Sequence, residues 1–295
     1  MESGVRESYL RSGEVIQKAR QKAREVAEPG AELESIAEEV EQLIRDEGLE
    51  PAFPVNMSSN EEAAHYTPEC GDGTVLSEED VLKVDIGAHC DGYIADTALT
   101  VNPAGNRSEM IAAVEEVLEK ALDFLEPGLT VGELGTFIEK QVPEKYNIVQ
   151  NLTGHSLGRY TQHAGLSIPN KANSGSYEFQ RGDAVAIEPF LTTGSGTVRN
   201  GREGNIYKKE SDRTVRGRAA RQVMKKVDAF NGLPFTTRWM HLQGREKMAF
   251  RKLVKQDVVK SYPVLQDEEG SVVVQAEHTV LVGAEDGENI VTTRK

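Results

Sequence analysis

The chain has 295 residues, of which 38% are hydrophobic, enough for one large domain or two fused halves with a sizeable core. No apolar run approaches the roughly 18–20 residues of a transmembrane helix, and the charged N-terminus lacks the core of a secretory signal. The only cysteines, Cys70 and Cys90, exclude a disulfide framework, so we expect a protein of the reducing cytoplasm, without a membrane.

The charge is divided unevenly along the chain. The net charge is −14, yet residues 201–260 hold 16 Lys and Arg against 6 Asp and Glu. The remainder is strongly acidic, as in proteins adapted to high salt. Such a contrast is a domain-level feature. We therefore interpret residues 201–260 as a basic helical insert, and residues 1–200 with 261–295 as the main domain.

Helices are predicted first along the chain. Apolar residues recur at helical spacing over Glu7–Ala27 and Glu32–Asp46, and Pro29-Gly30 separates the two segments. An irregular, proline-bounded stretch containing His65 follows. Helical spacing returns over Ser108–Leu125.

Two apolar runs on either side of Asp91-Gly92 predict a β-hairpin over Val81–Val101. Its strands carry one acid each, Asp85 and Asp96, within a residue or two of register. Carboxylates facing each other on a buried sheet repel and are costly to desolvate. A cation between them, or a proton on one of them, would relieve this cost. The alternative, a solvent-facing ribbon with two ordinary acids, fits this apolar stretch poorly.

The chain repeats itself at an interval of about 100 residues. A Glu-Pro-Gly break followed by an amphipathic segment begins at Glu28 and again at Glu126, and residues 80–87 resemble residues 183–190. The second match aligns Asp85 with Glu188. The repeat predicts two similar α/β halves, about residues 1–125 and 126–295, related by a pseudo-twofold axis. The central strands of both halves would direct their acids into one cleft.

The second half adds further candidates. His155 and His163, two of only six histidines, lie within nine residues of each other, although a lone histidine near a strand is more often structural. Within the insert, helices are predicted over Asp212–Phe230 and Gly244–Val258. A long β-branched strand is predicted over Ser271–Val282, and it contains Glu277. An acid in so apolar a strand is costly unless it is paired, or unless the strand is an exposed edge.

These acids and histidines suffice to hold two divalent cations. Oxygen and nitrogen donors suit Co, Mn, Fe or Zn. Two neighbouring ions lower the pKa of a shared water and polarise a carbonyl, so the predicted chemistry is hydrolysis of an amide. His65 and His163 would remain to donate hydrogen bonds to the substrate or the oxyanion.

Six stretches, which span nearly the whole chain, together carry a specific pattern: Phe53–Pro68, Lys83–Ala98, Asn151–Gly165, Ala186–Phe190, Gly232–Trp239 and Val274–Thr279. In them the sequence resembles the type 2 methionine aminopeptidases in their short archaeal form. The resemblance implies an α/β pita-bread fold, in which two pseudo-symmetric halves surround a curved antiparallel sheet. It also implies that residues 201–260 correspond to the helical subdomain of type 2 enzymes.

The resemblance implies a role for each candidate residue. Asp96 and Glu277 would bridge two metal ions, Asp85 would bind one of them, and His155 and Glu188 the other. His65 and His163 would contact the substrate. The methionine pocket would be formed by Phe53, Pro54, Asn56 and Tyr262.

The implied reaction removes the initiator methionine from nascent proteins whose second residue is small. Water activated by the two ions would attack the first peptide bond, and Glu188 would carry the proton to the leaving amine. The partners would be nascent N-termini, with the chain acting as a monomer. The basic insert would either dock on the acidic body or contact ribosomal RNA.

Three other interpretations compete with this one. An X-Pro aminopeptidase or prolidase shares the ligand set, although Ala64–Pro68 and the position of the insert favour the methionine enzyme. A non-catalytic homologue that binds nucleic acid is disfavoured because all five ligands are present. A generic metal-binding or structural protein would not require the substrate histidines.

Overall fold

Two pairs of helices pack on antiparallel strands. The structure, a computed structural model, describes residues 1–294. The helices are α1 (Ser3–Val26), α2 (Leu33–Asp46), α3 (Ser108–Phe124), α4 (Val131–Gln141), α5 (Arg218–Asp228), α6 (Thr237–Met240) and α7 (Arg245–Lys255). The strands are β1 (Glu50–Pro51), β2 (Asn56–Ser59), β3 (Glu62–Ala64), β4 (Leu82–Cys90), β5 (Tyr93–Val101), β6 (Asn147–Ile148), β7 (Thr153–Ser156), β8 (Ser167–Pro169), β9 (Ala184–Ile187), β10 (Phe190–Thr192), β11 (Arg199–Lys209), β12 (Phe235–Thr236), β13 (Val259–Gln266), β14 (Val273–Gln275), β15 (His278–Glu285) and β16 (Glu288–Val291).

The two Glu-Pro-Gly breaks have the same backbone arrangement. Gly30 and Gly128 both have positive φ angles, 89° and 93°, a region that glycine enters without strain. The residues that precede α2 and α4, Glu32 and Thr130, each form an isolated bridge, to Val75 and Glu178 respectively. Both bridges obey the offsets of the sequence repeat.

The predicted hairpin is present as β4 and β5. Asp91 and Gly92 form its turn with φ angles of 51° and 88°, as a two-residue turn with positive φ at both positions requires. Asp85 pairs with Ala98 and Gly87 with Asp96. Because residues i and i+2 share one face of a strand, Asp85 and Asp96 are diagonal neighbours on the same face. The predicted proximity of the two acids is confirmed.

The prediction of one continuous strand over Ser271–Val282 is wrong. The chain leaves one sheet after β14, which pairs with β10, and enters another at β15, which pairs with β9. Glu277 lies at the crossover and bridges to Ala98. Hydroxyls of β5 bind the crossover backbone: Thr97 donates to Glu277 O (2.6 Å) and Thr100 to Gln275 O (2.8 Å). These side-chain hydrogen bonds take the place of a regular backbone ladder at the crossover. They connect β5 of the first half to the β14–β15 crossover of the second half.

Two large apolar clusters, one for each pair of helices, make up much of the core. One apolar cluster lies between α1, α2 and the strands β2, β4 and β5. Another lies between α3, α4 and the strands β9, β14 and β15. Both clusters lie behind the strands that carry the candidate site, so the site rests on rigid elements. Within residues 1–294, no helix has the length and apolarity needed to cross a membrane.

The helices of the insert are shorter than predicted. α5 begins at Arg218 rather than near residue 212, because residues 212–217 are polar except for Val215 and Gly217 has a positive φ of 97°. β11 leads into the insert and β13 leads out. β13 also pairs with β3, placing Leu265 opposite Ala64. The strand at the base of the insert therefore lies beside the segment that carries His65.

Candidate metal centre and active-site cavity

A cavity of about 360 Å³ lies where the hairpin, the end of β9 and the β14–β15 crossover meet. The predicted site residues that line it are Phe53, Asn56, His65, Asp85, Asp96, His155, His163, Glu188, Tyr262 and Glu277. Pro54 is buried next to the cavity but does not line it, and its carbonyl accepts a hydrogen bond from Asn56 Nδ2 (3.1 Å). The fold thus brings together residues from six separate stretches of the sequence.

The acids and His155 form a compact donor cluster. Asp96, His155 and Glu277 each offer a ligand atom, and these atoms lie within 4.8 Å of one another. His155 Nε2 is 3.9 Å from Asp96 Oδ2 and 3.6 Å from Glu188 Oε1. Asp85 Oδ1 and Asp96 Oδ1 are buried without any hydrogen-bond partner. Buried carboxylate oxygens need a donor or a cation, so this donor set fits divalent metal ions.

The electrostatics of the cluster agree with that interpretation. Burial, and then repulsion between the acids, raise the pKa values of Asp85, Glu188 and Glu277 well above their usual range. Burial raises the pKa of Asp96 to about 7. Burial lowers the pKa of His155 to about 3, which keeps the imidazole neutral and able to bind a metal. Without a bound cation, carboxyl groups of the cluster would hold protons instead.

We expect the thermal stabilisation by added Mn²⁺ to be larger at about pH 8 than at about pH 5.5. The raised carboxyl pKa values stabilise the metal-free fold at low pH, and this contribution is lost as the pH rises toward about 7. Protons and metal ions compete for the same carboxylate oxygens. Bound metal therefore stabilises the fold more at a pH at which these carboxyl groups have lost their protons. Unfolding curves of metal-stripped and Mn²⁺-loaded protein at both pH values measure this difference. Equal shifts in Tm at the two pH values would contradict the cluster assignment.

The two remaining histidines of the cavity, His65 and His163, are held by different neighbours. The His65 N–H donates to Asn56 Oδ1 (2.9 Å), its Nδ1 is 3.3 Å from Pro263 O, and its ring meets Tyr262 edge to face. The His163 ring packs against that of His155, with centroids 4.4 Å apart. Burial lowers the pKa of both, that of His65 to about 4. Both imidazoles are therefore neutral hydrogen-bonding groups at neutral pH.

Some residues that line the cavity were not predicted from the sequence. Gln162 Nε2 donates to Asp96 Oδ2 (3.4 Å), and its position directly before His163 was the only signal for it. Ile206 and Pro234 form part of the cavity wall and come from the insert region. Apolar wall residues have no chemical signature, so only the fold reveals that the insert helps to enclose the site.

Comparisons with known proteins agree with these observations. Residues 7–284 match the model of metallopeptidase family M24. The methionine aminopeptidase of Thermococcus onnurineus is 43% identical over 286 residues, covering 95% of this chain and 97% of that protein. That of Archaeoglobus fulgidus is 40% identical over 296 residues, covering 100% of both.

Solved structures confirm the predicted pita-bread fold. Methionine aminopeptidase from Thermotoga maritima superposes with a TM-score of 0.72 at 22% identity, covering 100% of this chain and 98% of that chain. A thermophilic Arx1 gives 0.83 at 18% identity, covering 99% and 91%. Prolidase from Pyrococcus furiosus gives 0.63 at 17% identity, covering 100% of this chain but 65% of that chain. At these identities the likeness concerns the fold alone.

Proposed function

The chain belongs to metallopeptidase family M24, and we propose that it removes the N-terminal methionine of nascent proteins whose second residue is small. One observation carries this proposal: the buried Asp96–His155–Glu277 cluster lies in a cavity that is large enough for one side chain. Nascent chains are made in the cytoplasm, where we place the protein as a monomer.

We assign two divalent ions, Co, Mn, Fe or Zn, to a set of five ligands. Asp96 and Glu277 would contribute ligands to both ions, Asp85 would hold one of them, and His155 and Glu188 would hold the other. When bound, the ions lower the pKa of water and polarise the scissile carbonyl. The unpaired oxygens of Asp85 and Asp96 and the neutral imidazole of His155 support this assignment.

Proton transfer is assigned to Glu188. Its side chain is 14% exposed, so its carboxylate reaches the cavity. Asn170 Nδ2 donates to its backbone carbonyl (2.9 Å) and fixes the end of β9. Glu188 takes the proton of the attacking water and passes it to the leaving amine. His65 and His163, neutral at working pH, donate hydrogen bonds to the substrate carbonyl.

The methionine side chain is assigned to the pocket next to this centre. Phe53, Asn56 and Tyr262 line it, and Pro54 supports Asn56 from behind through its carbonyl. Phe53 itself is fixed by Gly87, because a Cβ at that position would lie 2.2 Å from the Phe53 ring. A pocket closed by apolar walls favours an unbranched, polarisable side chain such as methionine.

Peptide hydrolysis separates this function from its alternatives. The metal-loaded protein should release methionine from Met-Ala-Ser much faster than from Met-Glu-Ser, and should leave Ala-Pro peptides intact. Cleavage of Ala-Pro without cleavage of Met-Ala would favour an X-Pro aminopeptidase or prolidase. Failure to cleave any of the three would favour a non-catalytic homologue.

We further propose that the insert contacts ribosomal RNA. The exposed basic residues on α5, α7 and the segment before them are Arg213, Arg216, Arg218, Arg221, Lys225, Arg245, Lys247, Arg251, Lys252 and Lys255. Among residues 1–294, none of these ten forms an ion pair. The insert does contact the acidic body, through Arg238–Glu41 and Arg202–Glu62, but these contacts leave its exposed basic surface available to another partner. A basic surface of this kind binds phosphate backbones without reading sequence.

Changing the exposed basic residues of Arg213–Lys225 to Gln should reduce co-sedimentation with ribosomes. The loss should be largest at low salt, because the contact is electrostatic. A variant in which Lys18, Lys22 and Arg24 of α1 are changed to Gln serves as the matched control and should sediment like the wild type. Unchanged binding of the insert variant would reject the RNA contact.

A further inference from the structure

A buried ion pair away from the metal centre joins the insert to the first half of the chain. Arg238, in α6, donates through Nη1 and Nη2 to both carboxylate oxygens of Glu41 in α2, at 3.0 and 2.8 Å. The two side chains are only 3% and 1% exposed. The stretch that contains Arg238, Gly232–Trp239, is otherwise unexplained by the metal centre.

The pair also binds the chain that forms one wall of the cavity. Glu41 Oε1 accepts the backbone N–H of Val55 (3.2 Å), and Glu41 Oε2 accepts Trp239 Nε1 (2.6 Å). Arg238 Nε donates to Pro68 O (3.0 Å), and Nη2 donates to Thr67 Oγ1 (3.3 Å). The segment Val55–Pro68 is therefore held at both ends by a single pair of side chains.

The middle of that segment holds two residues of the proposed substrate pocket. Asn56 and His65 line the cavity, and the N–H of His65 donates to Asn56 Oδ1 (2.9 Å). His65 has a positive φ of 69°, a backbone conformation that a residue other than glycine keeps only where its surroundings hold it. The anchored ends of the segment are part of those surroundings.

The same pair also connects to the insert side of the cavity. Pro234 lines the cavity and lies four residues before Arg238 on the insert side. Asn205 Nδ2 donates to Pro68 O (3.1 Å) and to Thr236 Oγ1 (3.0 Å), which ties the insert turn to the same end of the segment. The Glu41–Arg238 contact thus ties the segment that carries Asn56 and His65 to the insert turn that carries Pro234.

We propose that Glu41 and Arg238 are positioning residues, a clamp through which the insert sets the width of the methionine pocket. This inference rests on the proposed function. Buried ion pairs contribute little net stability compared with an apolar pair of similar volume, whereas their bidentate geometry is specific. A contact with only a structural role would affect stability, whereas the clamp should affect substrate binding.

Replacing both partners by apolar residues, E41L with R238M, separates the two roles. We expect the double variant to fold and to bind the same amount of metal, with a lowered Tm because the Val55 N–H and Trp239 Nε1 lose their acceptor. Its KM for Met-Ala-Ser should rise roughly tenfold or more, while kcat falls much less, because no metal ligand has changed. Fluorescence of Trp239, the only tryptophan, checks the local packing. A wild-type KM in the folded double variant would overturn the clamp.

A second variant covers the case in which the double variant does not fold. T67V removes the hydroxyl that joins Arg238 to Val55 O (2.8 Å) and leaves the ion pair intact. It should raise KM by about threefold with kcat unchanged, and an unchanged KM would overturn the clamp. If the wild type releases no methionine, the proposed function fails instead. Calorimetric affinity for free L-methionine, expected to weaken by about the same factor in each variant, then tests the clamp by itself.

Discussion

Asp96→Asn should lower kcat for methionine release by about a thousandfold or more, because it replaces the carboxylate assigned to both metal ions. Asp96 lies next to His155 and Glu277 in the cluster, and its side chain is almost fully buried. An amide has the same shape but no charge, so it cannot replace a carboxylate between two cations. Methionine release and metal content measured on the same sample check this result.

The same substitution should not destabilise the metal-free protein. Asn removes one of four mutually repelling acids, and the backbone bonds of Asp96 with Thr279 remain available. We therefore expect a Tm in EDTA at least equal to that of the wild type. Asp267 is the matched control: it is buried outside the cavity and accepts bonds from Thr192 and Ser195. Asp267→Asn should lower Tm and leave kcat unchanged. Near-normal methionine release by Asp96→Asn would refute the shared-ligand assignment.

Glu188→Gln should lower kcat by roughly 10²–10⁴-fold with a much smaller effect on KM, as expected when a general acid–base group is lost. Glutamine keeps the size of the side chain and can retain one metal contact, but it cannot carry the proton to the leaving amine. Steady-state kinetics with Met-Ala-Ser across a pH series measure both parameters and should show the acidic limb of the profile lost.

Glu62→Gln is a suitable control for that experiment. Glu62 pairs with the exposed Arg202 (2.8 Å) and does not line the cavity. Surface pairs of this kind contribute little, so its kinetics should match the wild type. If Glu188→Gln retained wild-type kcat, the proton would have to travel by another group, and the assignment of Glu188 would be abandoned.

Local signals in the sequence were sufficient to predict features that depend on residues close to one another along the chain. Asp91-Gly92 determines the turn, and the two-residue period of a strand then sets the relative positions of Asp85 and Asp96. The internal repeat predicted Glu188 as the counterpart of Asp85, because the same strand pattern recurs in the second half. The helix bounds agree closely in α2 and α3, where a clear apolar stripe meets a strong stop signal.

Features that depend on distant partners could not be read in this way. The break at Glu277 arises from threonines of β5, some 180 residues earlier in the chain. Arg238 and Glu41 are 197 residues apart, and nothing in the local pattern of either segment indicates the other. Gln162 looks like an ordinary polar loop residue until the fold places it against Asp96. Polar contacts of this kind are determined by three-dimensional proximity rather than by periodicity.

Metal titration with simultaneous measurement of methionine release tests whether catalysis depends on ions bound at the Asp96–His155–Glu277 cluster. Metal-stripped protein should release no methionine from Met-Ala-Ser, and activity should return in proportion to bound Mn²⁺ until two ions are held per chain. Undiminished methionine release by the metal-stripped protein would show that catalysis does not depend on bound metal ions.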